Sequence, residues 1–213
     1  GEGRAFCAGL DVKSMLKQPV AALDILKREA DEATNLAQRV AYGWHQLPVP
    51  VIAVTQGVCF GGGLQIALGA DFRFSTPDCR FSVMEIKWGI IPDMSGSVTL
   101  RNLMGVDTAM ELAMSGRELD AHEARALGVV SRVCEDPLDA AREFARTLIT
   151  KSPDALAGIK QLYHQAWARS DEVMLKEETR LQKQILGRPN PWRATLNSLF
   201  RWRLPFGPRR NEL

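Results

Sequence analysis

The chain has 213 residues, 46% of them hydrophobic and 24% charged, which is enough apolar material for one substantial core with room for an appendage. A net charge of +2 is too weak a bias to make nucleic acid the main partner, and the four cysteines, Cys7, Cys59, Cys79 and Cys134, form no CxxC pair, so neither a zinc knuckle nor a disulfide framework is indicated. No stretch has the length of a membrane span and no basic-then-apolar leader follows Gly1, so no membrane association and a reducing, cytoplasmic setting are expected.

Residues 13 to 47 place Leu23, Leu26, Ala30, Ala33, Ala37 and Val40 at roughly helical spacing, which predicts one long amphipathic helix or two shorter ones, stopped by Pro48 and Pro50. "VPVIAVTQG" is a β-branched run closed by Gly57 and reads as a buried strand. Gly61, Gly62 and Gly63 follow, then a short apolar helix to about Leu68, then "DFRFS", whose alternation predicts another strand. "RFSVMEIKWGIIPDM" predicts a short strand and a turn, with Pro92 ending the extended part. Asp120 three residues before Glu123 is a capping pattern for a helix through Leu127, and "GVVSRV" is one more strand. From Pro137 the pattern is helical: one helix to about Thr150, a second capped by Ser152 with Pro153 at its first position, and a third from Asp171 to Leu186. Strands alternating with helices, then helices alone, predict an α/β core at 1–134 and a helical part at 135–213.

A glycine run between strand and helix has two readings. It can be a tight crossing that needs glycine for packing, or a place where free backbone N–H groups and missing Cβ atoms let an anion or a developing oxyanion approach. No GxxxxGK[ST] accompanies it, so a P-loop is not indicated. His45, His122 and His164 lack carboxylates or cysteines at ligand spacing and read as surface or helix-end residues, so no metal is expected. Ser95 and Ser97 lack the GxSxG elbow of a hydrolase, and Trp88 reads as a packing residue standing where it can line a pocket.

Taken in order, "RAFCAGLD", "PVIAVTQGVCFGGG", "DFRFS", "FSVMEIKWGIIPD" and "ARALGVV" resemble the crotonase superfamily of enoyl-CoA hydratases and isomerases, strongly to about Val133 and more weakly beyond. The resemblance implies an α/β spiral core of ββα units with a helical trimerisation region, and hence a homotrimer or hexamer. It implies that Leu10 and Gly62 donate backbone N–H bonds to the thioester oxygen of an acyl-CoA, with Arg4 near the CoA and Ala8 against its adenine. It implies no metal or redox cofactor, coenzyme A arriving as part of the substrate. Family members also carry strands before the "GRAFCAGLD" segment; without them an exposed sheet edge and an altered assembly are expected.

Hydratases of the family flank a catalytic water with two glutamates. Gln65 occupies the first position and Glu85 the second, and an amide can orient a water but cannot take its proton. Glu85 alone suffices to shuttle a proton between carbons two and four of an enoyl thioester, so double-bond isomerisation is expected ahead of hydration. Asp93 matches an acid used by dienoyl-CoA isomerases and is a candidate assistant; its plainer reading is a turn or cap residue. The rival expectation is a catalytically degraded member that binds acyl-CoA without turnover. A third is nucleic-acid binding through the basic tail "RWRLPFGPRR".

Overall fold

The computed structural model describes residues 1–11, 17, 24–167 and 169–209. In chain order these form α1 (Leu36–Gln46), β1 (Ile52–Thr55), β2 (Val58–Phe60), α2 (Gly62–Leu68), β3 (Phe72–Ser75), β4 (Arg80–Ser82), a 3₁₀ turn (Glu85–Trp88), α3 (Gly96–Leu100), α4 (Val106–Ser115), α5 (Ala121–Ala126), β5 (Arg132–Val133), α6 (Pro137–Ile149), α7 (Pro153–Ala166), α8 (Asp171–Leu186) and α9 (Pro189–Phe200). They divide into two compact units, one of residues 1–46 with 51–141 and one of residues 47–50 with 142–213, so the boundary falls inside α6.

In the first unit every strand pair is parallel. β3 is central between β1 and β5, with Ile52 opposite Phe72 and Phe74 opposite Arg132, while β2 pairs with β4, Cys59 opposite Phe81. Arg73, Phe74 and Ser75 are all buried, so this central parallel strand is covered on both faces and the alternation expected for "DFRFS" is absent. The β2–β4 pair lies in the core with Leu64, Leu68, Leu112, Leu119, Val129 and Val130; Phe81 is fully buried there, a side chain whose burial contributes about 2–3 kcal/mol.

Several expectations are corrected. Within the stretch predicted as one long helix or two shorter ones, Lys17 and Asp24 are helical and α1 begins at Leu36, while Leu26, Ala30 and Ala33 lie in turns and irregular chain and Leu23 falls outside the described residues. Helical spacing of small apolar residues is not enough where no core face waits for them. The short strand and the turn predicted in "RFSVMEIKWGIIPDM" are β4 and the 3₁₀ segment, but the extended part ends at Ser82, well before Pro92, and Gly89 reverses the chain at φ 72°. "GVVSRV" contributes only Arg132–Val133 as strand. The caps hold: Asp120 accepts from Glu123 N at 2.8 Å, and Ser152 accepts from Ala155 N at 3.4 Å with Pro153 opening α7.

The second unit is helical. Its centre is Asp154, which is 2% exposed and accepts from Arg188 Nη1 at 3.0 Å and Asn190 Nδ2 at 2.7 Å. Asn190 in turn exchanges hydrogen bonds with Gly207, tying the segment after α9 to its start. Its surface carries a run of exposed apolar side chains, among them Ile149, Ile159, Trp192, Leu199 and Phe200.

Candidate active site

The glycine run sits at the strand-to-helix junction between β2 and α2, and each of its members answers to a different constraint. Gly61 has φ 51°, a conformation costly for any residue with a Cβ. A Cβ on Gly62 would lie 3.0 Å from Met94 Sδ and 4.0 Å from Leu10 N; one on Gly63 would fall 2.6 Å from the Cys7 carbonyl oxygen. The packing reading of the run is therefore realised at Gly61 and Gly63.

The segment that ends in Leu10 reaches this junction by pairing with β2. Cys7 N donates to Val58 O and Phe60 N to Cys7 O, so Cys7 lies beside Cys59 in parallel register. Gly9 then turns at φ 93° and brings Leu10 alongside Gly62. Among the described residues no carbonyl accepts a hydrogen bond from Leu10 N or Gly62 N, so two backbone donors stand side by side without partners. Arg4 and Ala8 are exposed on the same segment, as is the Leu10 side chain.

Beside the donors lies the carboxyl of Glu85, which a charged "MEIK" turn would have left in solvent but which is 6% exposed. Its Oε1 would be 3.5 Å from a Cβ on Gly61. Gln65 Nε2 donates to that oxygen at 2.5 Å. The orientation of the Gln65 amide is settled by its other end, where Oε1 accepts from Met94 N at 2.8 Å and Gly96 N at 3.0 Å; only the carbonyl oxygen can serve two N–H donors. Glu85 Oε2 is buried with no partner. Burial pushes the carboxyl above the ordinary glutamate range and the charge of Asp93 adds to the rise, while a backbone hydrogen bond and the Gln65 contact oppose it.

Asp93 is half-buried, and α3 is preceded by Ser95 rather than by Asp93 as its cap residue. Trp88, read as a packing residue, is 53% exposed, because the 3₁₀ segment turns Glu85 inward and its other side chains outward. Sequence reasoning passed over Arg73, whose guanidinium is buried and donates to Val129 O at 2.6 Å and Ala70 O at 2.8 Å; burial lowers its pKa to about 10. The guanidinium is held by these backbone carbonyls, which leave no trace in residue types. No group of three or more His, Cys, Asp or Glu is placed to hold a metal, and no helix is long and apolar enough to cross a membrane, both among the described residues.

Parallel strand pairs, a glycine-opened helix and the helical unit define an α/β protein of crotonase fold. An enoyl-CoA hydratase from Polaromonas sp. JS666 superimposes with a TM-score of 0.86 at 27% identity, covering 97% of this chain and 80% of that one. An enoyl-CoA hydratase from Thermoplasma volcanium does so with a TM-score of 0.80 at 30% identity, over 96% of this chain and 77% of that one. The enoyl-CoA hydratase/isomerase family model matches residues 1–189, and the chain belongs to that family. A carnitinyl-CoA dehydratase from Citrobacter koseri is 40% identical over 119 residues, which are 55% of this chain and 46% of that protein's length.

Proposed function

We propose that this protein processes acyl-CoA thioesters by stabilising an enolate, with Leu10 N and Gly62 N receiving the thioester oxygen and Glu85 moving the proton. The observation that carries this is the pair of unpartnered backbone donors beside a buried carboxyl with one free oxygen. As negative charge develops on the thioester oxygen, each preorganised donor contributes about 3–4 kcal/mol to the transition state. The raised Glu85 pKa brings its proton affinity closer to neutral pH, which suits a group that must take a proton and return it.

Isomerisation between 3-enoyl and 2-enoyl thioesters is favoured over hydration. The Gln65 amide holds Glu85 and the 94–96 loop, so its part is to position the carboxyl, and no second proton acceptor stands in its place. Asp93 assists by raising the Glu85 pKa. Arg4 and Ala8, exposed beside the donors, are assigned to the CoA moiety; no metal or redox cofactor takes part. The apolar surface of the helical unit is assigned to a trimer or hexamer interface. Dehydration of a hydroxyacyl thioester is a second reading, favoured by the likeness to a carnitinyl-CoA dehydratase.

Ultraviolet absorbance of the conjugated enoyl thioester tests the proposal, with 3-enoyl-CoA and 2-enoyl-CoA offered separately to the wild type and to Glu85→Gln. A rise with the 3-enoyl substrate that the variant abolishes is the expected result. A fall with the 2-enoyl substrate would establish hydration in spite of Gln65. No change with either, together with calorimetric binding of acyl-CoA, would leave a protein that binds without turnover.

A further inference from the structure

The loop that grips Gln65 contains a serine for which the proposed chemistry has no use. Ser95 stands immediately before α3 with φ 69°, a left-handed conformation that glycine adopts freely and a residue with a Cβ does not. The usual return for a serine before a helix is a capping hydrogen bond. Ser152 makes one from an extended conformation, φ −60° and ψ 123°, whereas Ser95 makes none.

Its backbone is pinned instead. The amides on either side of it, Met94 N and Gly96 N, both donate to Gln65 Oε1, and its carbonyl accepts from Val98 N at 3.0 Å and Thr99 N at 3.1 Å. The residue is 8% exposed and its hydroxyl is buried with no partner. A buried hydroxyl without a partner is uncommon because its lost hydration is not replaced. Glu85 Oε2, on the other segment held by the same Gln65 amide, is a second such oxygen. The sequence thus keeps a side chain where its absence would relax the backbone, and the fold gives that side chain nothing to bind.

Resting on the acyl-thioester reading above, we infer that Ser95 is a specificity-determining residue whose hydroxyl, together with the free oxygen of Glu85, receives a hydroxyl group carried by the acyl chain. The ligands selected are hydroxyacyl thioesters over plain hydrocarbon ones. Serine both donates and accepts, so it can meet an alcohol in either sense whichever protonation state Glu85 holds. A retained water would offer the same oxygen from another source.

The test is calorimetric titration of the wild type, Ser95→Gly and Ser95→Ala with butyryl-CoA, 3-hydroxybutyryl-CoA and 4-hydroxybutyryl-CoA, absorbance being followed to detect turnover. The wild type should prefer at least one hydroxyacyl thioester over butyryl-CoA by about five- to tenfold. Both variants should lose that preference while butyryl-CoA affinity stays unchanged. Ser95→Gly should unfold at the same or a higher temperature, since it sheds both the left-handed Cβ and the unpartnered hydroxyl. Butyryl-CoA binding with no preference in the wild type, or a preference that survives in the variants, overturns the role of Ser95 and leaves the acyl-thioester reading standing. A parallel loss of affinity for all three ligands in both variants would assign the oxygen to a held water and overturn selection by the acyl chain. Failure of the wild type to bind any of the three would remove the acyl-thioester reading, and this inference with it.

Discussion

Two buried carboxylates, one in each unit, are treated in opposite ways. Asp154 has each oxygen served, one by the Arg188 guanidinium and one by the Asn190 amide. Glu85 has one oxygen held by a neutral amide and the other facing nothing. A carboxylate that stabilises a fold is saturated, because an unpaired buried charge costs several kcal/mol. One kept for chemistry is left partly unsatisfied, at the expense of stability, so that a ligand can complete it.

That contrast can be broken most sharply at Glu85 itself. Glu85→Gln keeps an acceptor for Gln65 Nε2 and removes the proton carrier, so turnover of 3-enoyl-CoA should fall about 10²- to 10⁴-fold while the protein remains folded by circular dichroism. Unchanged turnover would end the assignment. Asp154→Ala should act in the reverse sense, costing about 3–5 kcal/mol in urea unfolding because it takes the counter-charge away from the buried Arg188 guanidinium. A loss under about 1 kcal/mol would mean that the pair is not the stabilising element taken here.

The pH dependence sharpens the same point. The folded-state pKa of Glu85 lies above its unfolded value, so its contribution to stability is fully present below the ordinary glutamate value and is lost as pH rises through the raised one. Thermal unfolding of the wild type against Glu85→Gln should therefore show the variant gaining relative stability between acid and neutral pH. A constant difference would place Glu85 at its ordinary pKa. The smallest effect is expected at the second unit's helix start, where Ser152→Ala should cost about 1 kcal/mol in the same denaturant measurement.

What the sequence announced were features written in local residue types. Asp120, Ser152 and Pro153 signal helix starts through their own backbone preferences, and α8 runs over the predicted Asp171–Leu186. Gln65 and Glu85 were legible as a pair only through the family resemblance; their hydrogen bond spans 20 residues and nothing local encodes it. β2 went unread because three residues cannot establish a period, and α9 because two prolines in its first turn look like a stop. The left-handed Ser95 was invisible for a related reason: its conformation is imposed by bonds to Gln65, not by its own preference.

The Gln65 amide also makes the site observable. Its nitrogen carries one proton committed to Glu85 while its oxygen is fixed by two backbone amides, so the group cannot flip, and its ¹⁵N–¹H resonances should be distinct from those of solvent-exposed glutamines. Any change in the charge of Glu85 acts on that proton through a hydrogen bond whose nitrogen and oxygen are 2.5 Å apart. A titration followed on this single side chain would read the protonation of the carboxyl directly, in the resting protein and with a ligand bound, without a chromophore or a turnover event.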